Sequence, residues 1–315
     1  MSNINVLKRD GTIEDLNLEK VHKMVEFAVE GLAGVSASQV EIQSGLQFCD
    51  GIKSSDIQEI LIRSASDLIS EEHPNYQYVA ARLLLFGLRK AVHGHPEILP
   101  PLLEHVKGCI DKGVYDGTIV NRYSEEEWDR IDSFVDHERD YLFTYAGLRQ
   151  VVDKYLVQDR SSGEHYESPQ QMYIMISATL FANYPKETRL DYVRRYYNAI
   201  STHKINIPTP IMGGVRTPIR QFASCVLVDI DDTLDSIFSS DMAIGKYVAQ
   251  RAGIGINAGR IRGINSKIRG GEVQHTGVIP FLKKFEATVR CCTQNGIRGG
   301  SVSYTHLTLP TIYSV

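Results

Sequence analysis

Three things are scarce in this sequence: cysteine pairs with metal spacing, long apolar runs and an excess of positive charge. The five cysteines are an odd set without a CxxC pair, so neither a disulfide framework nor a zinc site is indicated, and a reducing compartment suits them. No apolar run approaches the roughly 20 residues of a membrane span, and the N-terminus has no signal-peptide core. The formal net charge of -4 argues against general nucleic-acid binding. We therefore expect a cytoplasmic protein whose partners include neither membrane nor nucleic acid.

Residues 1–95 contain a hairpin and a set of helices that together predict a separate domain. Alternating residues around the Asp10-Gly11 turn predict a small hairpin. The spacing of apolar positions then predicts four helices, the first of them capped by Asn17. Ser36 is expected to cap the second helix, Ser55 and Gln58 have capping-box spacing before the third, and Pro74 is expected to open the fourth. The run at 93–101 breaks the pattern and marks a domain boundary.

The chain changes character near residue 205, where helices give way to strands that alternate with helices. Residues 96–205 are predicted to be mainly helical, with a helix start at 124–127, a hairpin over 155–166 and an amphipathic helix over 186–200. Beyond them, strands are predicted at 205–207, 223–229 and 255–261, with a helix at 236–250. Strand, helix and strand in this order favour a parallel sheet and an α/β fold.

Cys225 is the residue that most invites a chemical interpretation. It stands between Ser224 and a β-branched apolar run, and a proline-bracketed turn at 209–218 precedes it. Three glycine-rich segments follow, at 253–259, 269–271 and 295–300, and such loops let backbone approach a bound phosphate. A lone cysteine is more often a buried small hydrophobe than a reactive thiol, so packing and redox roles both stay open on spacing alone. Cys291 and Cys292 lack metal spacing and are interpreted as structural.

Two sets of charged residues have the chemistry of nucleotide sites beside a simpler explanation. Lys8, Lys20 and Lys90, with Ser54, are either ordinary surface charge or a cradle for a triphosphate, and no Walker A motif is present. Asp232 and its neighbours either cap the following helix or, with Arg262 and Arg269, hold a nucleotide. The spacing of these residues does not decide between the two explanations.

Several segments together resemble the N-terminal part of the large, catalytic subunit of class I ribonucleotide reductase. Segments 8–11, 48–57 and 76–83 resemble the ATP cone of that family, and 156–158, 183–185, 208–212, 251–260 and 268–272 resemble the beginning of its barrel. The resemblance covers about residues 4 to 302. It implies an ATP cone at 1–95 (a small β cap plus a four-helix bundle), a helical N-terminal reductase domain at 96–205, and at 206–302 the first part of a ten-stranded α/β barrel with a specificity site.

The tail at 303–315 does not continue the expected barrel strand, and it is interpreted as a translated foreign reading frame of a truncated gene, with a genuine split gene as the alternative. The family's radical cysteine and the partner thiol of Cys225 are expected beyond the end of this chain. The resemblance therefore implies an incomplete chain that is inactive alone. At two positions where relatives place cone histidines, this sequence has Gln58 and Gly87, which puts inhibition by dATP in doubt.

The resemblance also implies a role for each of several residues in reducing ribonucleoside diphosphates to deoxyribonucleotides under allosteric nucleotide control. Cys225 is one of the two thiols that reduce the ribose. The substrate-binding residues are Thr209, Ser224, Gly253, Gln294 and Arg298, with Asn295 on the same loop as the last two. The specificity-effector residues are Asp232, Leu234, Arg262 and Arg269. The activity-site residues for ATP are Lys8, Glu14, Asn17, Lys20, Ser54 and Lys90.

The implied ligands are ATP or dATP and other deoxyribonucleoside triphosphates with Mg²⁺, and no metal is expected to bind the chain itself. The implied partners are a small radical-generating subunit, thioredoxin or glutaredoxin, and a second large subunit in a homodimer. One alternative is a nucleotide-sensing regulatory protein with an ATP cone, which needs a CxxC zinc ribbon that this sequence lacks. Another alternative, a helical interaction scaffold, leaves the glycine-rich loops after Cys225 unexplained.

Overall fold

A computed structural model describes residues 4–8, 11–45, 47–250, 252–292 and, for the backbone, 302–305. The chain divides into two compact units, 1–207 with 216–218, and 208–215 with 219–315. None of the helices in the described part of the chain is long and apolar enough to cross a membrane.

The first unit begins with a three-stranded sheet beside four helices. Strands β1 (Asn5–Leu7) and β2 (Ile13–Asp15) are antiparallel, which confirms the predicted hairpin, and β3 (Ile52–Lys53) pairs with β1 in parallel. The helices are α1 (Leu18–Val29), α2 (Ala37–Gly45), α3 (Ser54–Asp67) and α4 (Tyr76–His93). The Asn17 side chain accepts a hydrogen bond from the Lys20 backbone N–H at 3.0 Å, so the predicted cap is confirmed.

The capping box predicted at Ser55 and Gln58 is wrong. Helix α3 begins at Ser54, its N-cap is Lys53, and no side chain caps it. The reason is β3, which runs directly into the helix while it pairs with β1. A strand of two residues is too short to show a strand period, so β3 could not be predicted from local pattern.

Five more helices complete the first unit. They are α5 (Leu102–Asp111), α6 (Glu125–Asp132), α7 (Tyr145–Lys154), α8 (Pro169–Phe181) and α9 (Lys186–Ser201), with 3-10 helices at Val120–Arg122 and His137–Leu142. Helix α6 begins where the acidic run predicted a helix start, and Ser124 and Glu127 form a capping box there. The predicted hairpin is present as an antiparallel bridge between Gln158 and His165. Helix α8 is buried from Pro169 through Ala178, and it packs against α9 and the 3-10 helix at His137–Leu142.

The interior of this unit holds two buried ion pairs. Arg216 donates to the Glu167 carboxylate through Nε at 2.7 Å and also through Nη2, and Tyr115 donates its hydroxyl to the same carboxylate. Arg89 donates to Asp140 at 2.8 Å. Each carboxylate also accepts a hydrogen bond from a group other than its arginine. A buried charge is tolerated only when its hydrogen-bonding positions are satisfied in this way.

Three histidines, one of them buried and two half-buried, also lie in this unit and make its stability depend on pH. Burial lowers the pKa of His93, His105 and His137 from 6.5 to about 4. The unfolded chain therefore binds these protons as the pH falls below 6.5, whereas the folded chain stays neutral until about pH 4. We expect the free energy of unfolding to fall across this window, by up to about 1.4 kcal/mol per pH unit for each histidine.

Urea unfolding at a series of pH values measures this slope. The slope should be smaller in the His105→Gln protein than in the parent chain. An identical slope in the His105→Gln protein would contradict the prediction.

The second unit contains α10 (Thr209–Gly214), α11 (Leu234–Ala249), α12 (Ile279–Cys292) and two small sheets. Strands β4 (Cys225–Asp229), β5 (Gly253–Asn257) and β8 (Val302–Thr305) form a parallel sheet in the order β4-β5-β8, and β6 (Lys267–Ile268) pairs antiparallel with β7 (Val273–Gln274). The core between the parallel sheet and α11 and α12 includes Ile230, Ile237, Ile244, Ile254, Ile256 and Phe285. The parallel β4-α11-β5 arrangement was predicted, and the described strands form no closed barrel.

Four predictions about residues 205–305 are wrong. No strand forms at 205–207, where Ile205 is exposed, and the turn predicted at 209–218 begins with helix α10 instead. Strand β5 starts and ends earlier than 255–261, because the Asn257 side chain accepts a hydrogen bond from the Gly259 backbone N–H and turns the chain. Residues 302–305 pair with β5, so the strand does continue into the tail, through residue 305.

Candidate functional site

A cavity of about 400 Å³ lies between the β1–β2 hairpin and helices α1, α3 and α4. All six residues predicted for the activity site line it: Lys8, Glu14, Asn17, Lys20, Ser54 and Lys90. They come from both strands of the hairpin, the start of α1, the start of α3 and the end of α4. The fold thus collects residues that are dispersed between positions 8 and 90, while the ligand of the cavity stays a prediction.

Within this cavity the lysines are paired with a carboxylate. Lys8 Nζ lies 2.7 Å and Lys20 Nζ 3.6 Å from Glu14 Oε1. The hydrogen bond from Lys8 is the main reason that the pKa of Glu14 lies below its ordinary value, so this carboxylate is charged. A phosphate group that enters the cavity meets ammonium groups already held in position by Glu14.

The rest of the cavity wall was not predicted as part of a site. It includes Lys23, Met24, Phe27, Phe86 and Glu97. On α1, Lys23 and Phe27 lie one helical turn from Lys20 and Met24 respectively. That spacing was the available signal, because residues three or four apart share a helix face. Apolar and aromatic side chains next to lysines suit a ligand with a flat ring and an anionic tail.

Gln58 and Gly87, the two positions that differ from the expected cone histidines, are neighbours. Gln58 donates its side-chain amide to the Leu83 carbonyl at 2.7 Å. A Cβ at residue 87 would lie 3.0 Å from Gln58 Cγ, so the glycine makes room for the glutamine. Gln58 also lines the 400 Å³ cavity, and its side chain is held there by the α4 backbone.

Cys225, the predicted redox cysteine, is the first residue of β4, which pairs with β5. Cys225 is opposite Gly253 in the β4–β5 register, and the Gly253 N–H donates to the Ser224 carbonyl at 2.9 Å. Cys225 is exposed and shares one face of β4 with Leu227, which is 86% exposed, and Asp229. The interpretation of Cys225 as a buried packing residue is therefore wrong, and a thiol on an open sheet face is accessible to a reactant.

Thr209 lines a second cavity, of about 560 Å³, together with Arg220, Gln221 and Gln250. The Gln221 amide donates to the carbonyl of Ala223 at 3.0 Å and to that of Gln250 at 3.4 Å. Ala223 and Gln250 precede β4 and β5 respectively, so this cavity adjoins the strand starts that carry Ser224, Cys225 and Gly253. Four of the residues predicted around the substrate thus lie in one region of the second unit.

The predicted effector residues lie at the opposite end of the same strands. Arg262 donates to Asp232 from its backbone N–H at 3.0 Å and from Nε at 2.6 Å. Burial opposes ionisation of Asp232, but the hydrogen bonds from Arg262 prevail and lower its pKa. Leu234 is exposed in the first turn of α11, and Arg269 lies in the turn between β6 and β7. Arg262 Nη1 reaches the Lys267 carbonyl at 3.3 Å and so connects Asp232 to the base of that turn.

The remaining predicted positions are less informative. Gln294, Asn295 and Arg298 lie outside the described residues. Cys292 packs against Gly245, whereas Cys291 is exposed, so the structural interpretation suits only Cys292. In the described part of the chain, no group of three or more His, Cys, Asp or Glu side chains is arranged to hold a metal ion.

Comparison with known families matches three family models to consecutive parts of the chain. The ATP cone domain matches residues 4–91, the all-alpha domain of ribonucleotide reductase residues 141–220, and the barrel domain of ribonucleotide reductase residues 223–308. The barrel match extends past residue 302, where the resemblance was expected to end.

Curated relatives give the same result. The ribonucleoside-diphosphate reductase subunit alpha of Haemophilus influenzae is 56% identical over 298 residues, which are 95% of this chain and 39% of that protein. Subunit alpha of reductase 1 of Escherichia coli is 56% identical over 96% of this chain and 39% of its own length. Subunit alpha of phage T4 is 44% identical over 96% of this chain and 40% of its own length. The chain thus spans about two fifths of the length of these relatives.

Proposed function

Because the chain belongs to the ribonucleotide reductase family, we propose that it is the nucleotide-controlled N-terminal part of a large subunit that reduces ribonucleoside diphosphates to deoxyribonucleotides. The observation that carries the proposal is the 56% identity to alpha subunits across 95% of this chain. A regulatory protein with an ATP cone is disfavoured, since the all-alpha and barrel models match the chain beyond the cone.

In this proposal Cys225 supplies one of two thiols that reduce the ribose. The two thiols give up two electrons and two protons and become a disulfide, while the 2′-hydroxyl leaves as water. Thioredoxin or glutaredoxin then reduces the disulfide, and a small partner subunit supplies the radical that starts the reaction. The exposed face of β4 gives Cys225 the access that this chemistry needs. Thr209, Ser224 and Gly253 hold the substrate beside it, and Gln294 and Arg298, which lie outside the described residues, complete the proposed substrate-binding set.

The cone cavity binds ATP or dATP with its Mg²⁺ in this proposal. Lys8, Lys20 and Lys90 bind the phosphates, and the adenine ring packs on the apolar wall that contains Met24 and Phe27. Binding exchanges the contacts of Lys8 and Lys20 with Glu14 for contacts with the triphosphate. We expect dATP to bind but to inhibit weakly, because Gln58 presents an amide held by Leu83 where an imidazole was expected.

Replacing two of these lysines tests the cone assignment. In the Lys8→Ala, Lys90→Ala double variant, calorimetry should show ATP affinity at least about tenfold lower, since charge-assisted contacts are the stronger ones. A matched control is Lys53→Ala with Lys107→Ala, which removes the same charge from exposed positions outside the cavity. No heat of binding with ATP in the parent chain, or equal affinity in both double variants, would refute the assignment.

A second nucleotide site, for deoxyribonucleoside triphosphate effectors, is proposed at Asp232, Leu234, Arg262 and Arg269. The N-terminus of α11, the charged Asp232–Arg262 pair and the exposed Arg269 provide a positive helix end and guanidinium groups for the ligand. Leu234, Phe238 and Met242 form an exposed apolar stripe along α11, at a spacing of four residues. This stripe supports a homodimer of large subunits, since a helix with an uncovered apolar face is typical of an interface. We place the protein in the cytoplasm, where thiols stay reduced.

A further inference from the structure

The loops that follow β4 and β5 are joined by side chains that none of the predicted sites uses. Arg260 Nη2 lies 3.0 Å from Asp229 Oδ2, and its Nη1 donates to Asp231 at 2.8 Å. Asn257 donates its amide to the other oxygen of Asp229 at 2.8 Å. Arg260 therefore links the end of β4 to the loop beyond it from its own position after β5.

The backbone around these side chains is held from the inside. Ile230, Ala258 and Ile261 are buried in the core of the second unit, and the Ile230 N–H donates to the Asn257 carbonyl at 3.1 Å. The two loops therefore stay together without help from Arg260. What Arg260 adds lies on the outer side, where its guanidinium and both of its carboxylate partners are exposed.

The charges at this end of the sheet explain why such a residue is needed. Three aspartates lie within four positions, at 229, 231 and 232, next to the proposed binding place of a triphosphate. Arg262 pairs with Asp232, and Arg260 pairs with the other two. Without Arg260, the carboxylates of Asp229 and Asp231 would have no positively charged partner. They would then repel an anionic ligand bound nearby, because like charges repel.

We propose that Arg260 is a positioning residue of the effector site, which neutralises Asp229 and Asp231 so that a deoxyribonucleoside triphosphate can approach Asp232 and Arg262. The inference rests on the proposed function, because it assumes that the effector binds at this end of the sheet. It assigns Arg260 no contact with the nucleotide. Its effect on affinity passes through the two aspartates, which makes it separable from the effect of Arg262.

The test uses the whole chain with dTTP and Mg²⁺ as the probe, since the cone is proposed for adenine nucleotides. Calorimetry should give an affinity about fivefold lower for Arg260→Ala than for the parent chain. In the triple variant Arg260→Ala, Asp229→Asn, Asp231→Asn the affinity should return to the parent value, because the repelling charges are gone. Arg290→Ala, which breaks an exposed arginine–glutamate pair on α12, is the matched control and should bind as the parent does.

A salt series provides a second measurement on the same proteins. The ratio of parent to Arg260→Ala affinities should shrink towards one as the ionic strength rises, because salt screens exposed charges. A melting temperature for each variant identifies loss of folding, and if Arg260→Ala is unfolded, Arg260→Gln takes its place.

The outcomes distinguish a failure of the proposed effector site from a failure of the role proposed for Arg260. If the parent chain does not bind dTTP, or Arg262→Ala binds it unchanged, the proposed effector site is wrong. If the parent binds and Arg262→Ala loses binding while Arg260→Ala matches the parent, the role of Arg260 is wrong. An Arg260→Ala defect that the two asparagines do not restore, or that salt does not diminish, also overturns it.

Discussion

Replacing Cys225 by serine should stop multiple turnover in a large subunit that begins with residues 1–302 of this chain and continues with the barrel of one of its relatives. Serine is nearly isosteric, and Cys225 is exposed at the start of β4, so the fold should survive with a cost below about 0.5 kcal/mol. The hydroxyl cannot form the disulfide that accepts the two oxidising equivalents, so each active site is left without its reductant. The chain alone, mixed with a small subunit and reductant, should give no product.

Steady-state reduction and effector binding are measured on the same Cys225→Ser protein. Effector binding should persist, because Asp232 and Arg262 lie at the other end of β4 and β5. Cys49→Ser is the matched control, since Cys49 is also an exposed thiol but lies in the cone, and it should turn over normally. Normal turnover of Cys225→Ser would end the redox assignment.

The largest effect on stability is expected from Arg216→Met. Arg216 and Glu167 are fully buried, and Arg216 also donates to the Tyr155 carbonyl at 3.0 Å. Methionine has a similar length but no charge, so it leaves Glu167 buried with its arginine partner removed. Breaking a buried pair in this way costs about 3–5 kcal/mol, because the remaining charge has lost both water and its counterion.

Urea unfolding of the whole chain measures this cost as a shift of the first unit's transition. Arg194→Met removes an arginine from an exposed pair with Asp191 and should cost less than about 1 kcal/mol. The double variant Arg216→Met, Glu167→Gln should recover part of the loss, since it removes the isolated charge. Equal midpoints for Arg216→Met and Arg194→Met would show that the buried pair contributes nothing.

Local features were the ones that the sequence predicted well. The cap at Asn17, the helix start at 124–127 and the strand that starts near Cys225 depend on residues a few positions apart, so their patterns are complete in a short window. The failures have the opposite character. Strand β3 exists only because β1 pairs with it, and the Glu167–Arg216 pair joins residues 49 positions apart. No local period records such pairings.

The candidate sites divide in the same way. Spacing alone could not decide whether Lys8 and Lys90 are surface charge or part of a cradle, and only the fold shows that both line one cavity. The resemblance supplied that grouping in advance, residue by residue. It did not supply Arg260, because the β4–β5 register is what brings this arginine, which follows β5, to Asp229 and Asp231 at the end of β4.

The parallel sheet of the second unit has an implication for how such a protein is made. Strand β4 forms one edge of the sheet β4-β5-β8, and Leu227 projects from it almost fully exposed. In a protein as long as the relatives, the ribosome releases this edge before the later strands have been synthesised, and domains fold as they emerge. During that interval the edge of β4, with Leu227 exposed beside it, can pair with any extended chain nearby. We therefore expect slower synthesis beyond this point to lengthen the interval in which this edge can make such contacts.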